Sequence, residues 1–195
     1  TIVGNVNGGS GTTATGILYS GGTGTVTITG NVTGGSVATA AGISHSATTG
    51  SISITGTMTG GTNATAYAIT KTGVVSSLTI NGNLVGATSA AVNANAGVVT
   101  IAGNLSTSSA APLNAGGATL TLTTSSPLVA TTNTGMVSMS TGAVRIVSDV
   151  TGGTGTNFIS VACIAGNLVI EGNVTGGSGS NAHGLSYSGL SSVRI

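Results

Sequence analysis

Thr25-Val26-Thr27-Ile28-Thr29-Gly30-Asn31-Val32 is a phrase that the chain repeats, edited, from one end to the other. The typical copy sets an apolar-x-apolar pair before a Gly-Asn and one more apolar residue after it. Taking the second apolar residue of each copy as a marker gives Ile2, Ile28, Ile54, Ile80, Ile101, Leu122, Ile146, Ile170 and Ile195. The steps between markers are 26, 26, 26, 21, 21, 24, 24 and 25 residues. Within a copy the alternation has the period of a β-strand, so Val26 and Ile28 share one face while Thr27 and Thr29 take the other.

A repeat of this length built on strand alternation is one coil of a solenoid, unable to bury its apolar face until neighbours stack on it. The expected fold is therefore all-β: one parallel β-solenoid of about eight coils over residues 1–195, with the markers as the core stack. In one coil, Gly30-Asn31 supplies a bend, glycine for unusual backbone angles and asparagine for its tolerance of the left-handed region. Gly34-Gly35 makes the next corner, Ala40-Ala41-Gly42-Ile43 returns as a second strand, and Ala47-Thr48-Thr49-Gly50 closes the loop. Coils four and five lose the Gly-Gly corner, as in Gly82-Asn83-Leu84-Val85 and Gly103-Asn104-Leu105-Ser106. Coil six replaces Gly-Asn by Thr124-Ser125-Ser126-Pro127, whose proline lacks a ladder donor and belongs at a corner. A waist at about residues 80–125 follows, within a single domain.

Composition narrows the function. The 195 residues hold one Phe, three Tyr and no Trp, fewer aromatics than a globular core of this size uses. Three basic and two acidic residues leave a surface of Thr, Ser, Asn and backbone. Disorder is excluded by abundant, periodic β-branched residues. A net charge of +1 gives no footprint for nucleic acid, and no apolar run approaches the ~20 residues of a membrane span. Neither nucleic acid nor membrane insertion is expected. The sequons at Asn31, Asn63, Asn104 and Asn173 are ones that Asn/Thr-rich sequence produces by chance.

Stacking brings like residues above one another. One column is Asn5, Asn31, Thr57, Asn83, Asn104, Ser125, Asp149 and Asn173, whose side chains are expected to hydrogen-bond up and down as a structural ladder. Another sets Thr27, Thr29, Ser53, Thr55, Thr79, Thr100, Thr121 and Thr123 on an outer face, an array that stops at Arg145 and Val147 and resembles the hydroxyl-and-methyl face of ice-binding solenoids. A third column, two residues after the second-strand markers, holds Tyr19, His45, Lys71, Cys163 and Tyr187; being mostly polar, it is expected where the strand leaves the core for solvent.

Chemistry has little to work with. Asp149 and Glu171 are the only carboxylates, and Glu171 lies diagonally beside Arg145 and Arg194, which predicts an ion-pair cluster in place of a catalytic pair. His45, His183 and Cys163 fall in different coils, too far apart for one metal site. Gly8-Gly9-Ser10-Gly11 lacks the lysine and helix of a phosphate loop. No enzyme activity and no cofactor are expected.

Repeats such as Ile28-Thr29-Gly30-Asn31-Val32 and Ile170-Glu171-Gly172-Asn173-Val174 resemble the parallel β-helix passages of bacterial surface adhesins, autotransporter passengers and phage tail fibres. The resemblance spans the chain and implies an extracellular, cell-surface or virion-borne scaffold, with a host-surface glycan or protein as a conceivable partner; it transfers no catalytic residue. The chain begins and ends within the same strand without an amphipathic cap and, Arg194 apart, without charged end residues, so end-to-end stacking of copies into a fibre is the partner expectation.

Overall fold

The computed structural model describes residues 1–107, 111–130 and 135–195. Within them the chain is all-β, without a helix, its parallel sheets stacked as a β-solenoid of about eight turns. Each coil contributes up to three short strands. The first sheet has nine strands, from Ile2–Val3 through Thr25–Thr29, Ser51–Thr55 and onward to Leu190–Arg194. The second face follows the Gly-Asn bend and comes in two parts, five strands from Val6–Asn7 to Leu105–Thr107 and three from Leu128–Val129 to Val174–Thr175. The third sheet has eight strands, from Ile17–Tyr19 to Leu185–Tyr187.

Pairing in the first sheet is in register where the repeat places it: Ile28 pairs with Ile54, Ile54 with Ile80, Ile80 with Ile101, Ile101 with Leu122, Leu122 with Ile146 and Ile146 with Ile170. The change from long to short coils leaves this register untouched. It is absorbed on the other sides, where Leu84–Gly86 is followed closely by Val92–Ala94 while Val32–Thr33 and Ile43–His45 enclose a longer loop. The one irregularity falls near the C-terminus, between Gly166 and Asn167.

Ile28, Ile54, Ile80, Ile101, Leu122 and Ile146 are fully buried and Ile170 nearly so. The two ends of this marker column differ. Ile2 is 36 % exposed and Ile195 68 %, because each has a neighbouring coil on one side only. As core residues they are therefore half-formed in this chain.

The bend glycines carry a double constraint. Gly30 and Gly56 have φ of 152° and 150°, a region that side-chain-bearing residues rarely enter. A Cβ on Gly30 would also lie 2.2 Å from the Gly4 carbonyl oxygen, and one on Gly56 2.2 Å from that of Gly30. Glycine lies against glycine up the corner, and main chains approach closely there. The break in the second face coincides with Ser125-Ser126-Pro127, where proline offers no donor.

Two substitutions test this construction. Gly56→Ala is expected to destabilise by about 2 kcal/mol or more, from backbone strain plus collision, whereas Gly21→Ala, with open space around it, should change stability by less than about 0.5 kcal/mol; urea unfolding followed by far-UV circular dichroism compares them. Ile80→Asp should open the stack locally by burying an unpaired charge, and a melting temperature equal to that of the parent would remove Ile80 from the core.

Candidate functional site

The first sheet has the most strands, nine, and presents a regular outer face. Thr27, Ser53, Thr79, Thr100 and Thr121 form one row, Thr29, Thr55, Asn81, Ala102 and Thr123 a second, and both rows follow the register of the buried column. At Arg145 and Val147 the hydroxyl rows end. The spacing along a row is the interstrand distance, about 4.8 Å. Hydroxyls can link neighbours, as Thr25 Oγ1 and Ser51 Oγ do at 2.7 Å.

The asparagine column lies outside, at the bends. Its bonding differs from the amide-to-amide ladder expected from the sequence. Asn5 Oδ1 accepts the main-chain N–H of Asn31 at 2.9 Å, Asn31 Oδ1 that of Thr57 at 2.9 Å, and Asn83 Oδ1 that of Asn104 at 3.0 Å. Asn104 Oδ1 receives the N–H groups of Ser125 and Ser126 and the Ser125 hydroxyl, each at 3.2 Å. Asp149 Oδ1 takes the Asn173 N–H at 2.7 Å and its side-chain amide at 3.2 Å. The adjoining amides, of Gly30 and Val32, donate to the following coil, at Thr55 O and Thr57 O. The amide of Asn31 between them meets a side-chain oxygen because the main chain turns at the glycine.

A groove of about 250 Å³ runs over the wide coils, lined by Thr15, Thr39, Ala41, Ser44, Thr65, Tyr67 and Thr70. Sequence reading did not find it. Its linear trace is the longer loop of the 26-residue coils, and Thr39 in its wall sits at φ 63°, a conformation no pattern predicts for a β-branched residue.

The charges are placed as the diagonal implied. Arg145 Nε and Nη2 donate to the two Glu171 carboxylate oxygens at 2.8 and 2.7 Å, a bidentate pair with both side chains about half exposed. These hydrogen bonds above all hold the Glu171 carboxyl below its usual range against the opposing effect of desolvation, with the charges of Arg145 and Arg194 adding to the lowering. Asp149 serves the asparagine column instead.

The third column overturns its expectation. His45 and Lys71 are fully buried and Cys163 is 3 % exposed, all pointing inward, and Ala94, Ala115 and Met139 continue the same column in the coils between. The reason is the strand period itself, since a residue two places after an inward Ile43 or Ile69 shares its face. Only at the end coils do Tyr19 and Tyr187 reach solvent, partly and largely respectively. Lys71 Nζ donates to Gly73 O at 2.7 Å and Ser76 Oγ at 2.8 Å, and burial lowers it to about 8. Its head lies against Gly97, where a Cβ would come within 2.4 Å of Nζ. His45 packs on the Tyr19 ring, centroids 5.1 Å apart, with neither ring nitrogen hydrogen-bonded. Burial first and the Lys71 charge second lower it to about 4. Burial raises the Cys163 thiol to about 12. His183 is exposed in another coil.

No family model, curated protein or solved structure matches this chain.

Asn104 is the most heavily used bend residue, so Asn104→Ala is expected to cost about 1–3 kcal/mol, more than Asn31→Ala, which strands one amide. Arg145→Ala should cost under about 1 kcal/mol, as an exposed pair does. Paired thermal melts at neutral pH rank the three.

Proposed function

We propose that this chain is a structural rod, a length of an extracellular or virion-borne fibre whose role is mechanical reach and display, without catalysis. The observation that carries the reading is the unbroken column from Ile28 to Ile170, in register through every described coil, beneath an outer face on which Thr, Ser and Asn predominate and charges are few. A stack of this kind lengthens by adding coils without redesigning its core. Ile2, Val193 and Ile195 present apolar surface at its two ends, and further coils, of the same polypeptide or of a second copy, would cover them. A tail-fibre shaft or the stalk of a surface adhesin is the same role in a longer chain, with a host glycan or protein as the contact made by its sides.

The in-register rows from Thr27 to Thr121 favour a second reading, an ice-binding face, because rows of hydroxyl and methyl groups at one fixed spacing suit an ordered lattice. Electron microscopy of the purified chain over a range of concentrations separates the two. Filaments with an axial repeat near 4.8 Å and no effect on ice growth support the fibre. Monodisperse rods that slow ice recrystallisation, and lose that effect in Thr79→Arg, would replace it with the ice-binding reading.

A further inference from the structure

We infer that the rod carries an acid-sensitive breakpoint between its second and third coils, where uptake of a proton by His45 sets two cations on adjacent rungs of an interior that has no carboxylate to receive them. The geometry is specific. His45 pairs directly with Lys71 in the third sheet, so the two side chains stand one strand spacing apart on the same inward face. Both are fully buried. Lys71 already has partners, the Gly73 carbonyl and the Ser76 hydroxyl, and this hydroxyl itself donates to Gly73 O at 3.2 Å, so the small polar cage is closed around one ammonium. His45 has nothing of the kind, both ring nitrogens being without a partner.

The surroundings supply no relief. From the strand before, Tyr19 faces His45 with its ring, while its hydroxyl is committed to Gly24 O at 3.0 Å. From the strand after comes Lys71. The other two faces turn Val26, Ile28, Ile52, Ile54, Val32 and Met58 toward the core, none of them ionisable. The chain's two carboxylates, Asp149 and Glu171, are exposed and engaged several coils away. A protonated imidazole here is therefore a second buried cation without a counter-ion.

The sign follows from where the proton binds. His45 takes up its proton at about 4 in the folded rod and near 6.5 once unfolded, so the unfolded chain binds more protons between those values. Stability from a neutral His45 is complete above the unfolded value, falls as pH drops through that window, and is gone below the folded one. Over it the folding equilibrium is expected to fall by roughly a hundredfold.

Urea unfolding of the chain by far-UV circular dichroism at steps from pH 7 to 3.5 tests this, together with hydrogen exchange read by mass spectrometry to locate the opening. The parent should lose about two powers of ten, with exchange first accelerating in residues 17–19, 43–45 and 69–71. His45→Leu should remove most of that loss, Lys71→Met should lessen it, and Glu171→Gln should leave it in place. An equal acid loss in His45→Leu, or first opening around Asp149 and Asn173 in the parent, would overturn the inference. Should His45→Leu not fold, the exchange map of the parent and the Lys71→Met profile decide on their own: acceleration elsewhere, or an unaltered profile in Lys71→Met, counts against it.

Discussion

Everything in this molecule depends on parallel, in-register stacking of one coil on the next. Main-chain hydrogen bonds run along the rod, so each side chain is surrounded chiefly by its equivalents in adjoining coils and a position is judged by its column. Apolar columns bury, each fully buried aliphatic contributing on the order of 1.5–3 kcal/mol, and corner columns must be glycine where main chains nearly touch. The first sheet keeps its register through the change in coil length and slips only at its last pair of strands, and the variation in coil length is displaced to the loops beside the second and third faces. A surface of uncharged hydroxyl residues completes the arrangement, since stacked like charges would repel along every column.

Much of this is legible in the linear sequence because the repeat and the fold share a period. The spacing of Ile28, Ile54 and Ile80 gives both the coil and its register, and the alternation of Thr27 with Ile28 gives inside and outside. Two things escaped. The groove around Thr39 and Tyr67 depends on loop conformation, which carries no periodic signal. The inward column of His45 and Lys71 is masked by its polarity, which points to solvent where the strand geometry points to the core. Ile43, Ser44 and His45 alternate like every other strand here, and two residues on from an inward isoleucine is inward again. The alanines at 94 and 115, which make room along the same column, were the available signal.

That column also shows how a solenoid accommodates an awkward residue. Lys71 is held by the carbonyl and hydroxyl of the turn that follows its own strand, and Gly97 in the next coil leaves space for its head. The cost is local and is met within two coils. A globular core would spread such a defect through neighbours on all sides, while the rod confines it to one level.

The bend asparagines have a consequence of another sort. At every rung formed by residues 5 and 31, 31 and 57, 83 and 104, or 149 and 173, the oxygen belongs to the earlier coil and the amide to the later one. At these rungs dependence runs one way: the later bend is completed by the side chain beneath it. Losing a rung orphans the coil that follows and leaves the coil before it fully bonded, so damage at a bend has a direction. A rod made this way has a heading as well as a length, and a mutation's reach along it differs toward the two ends.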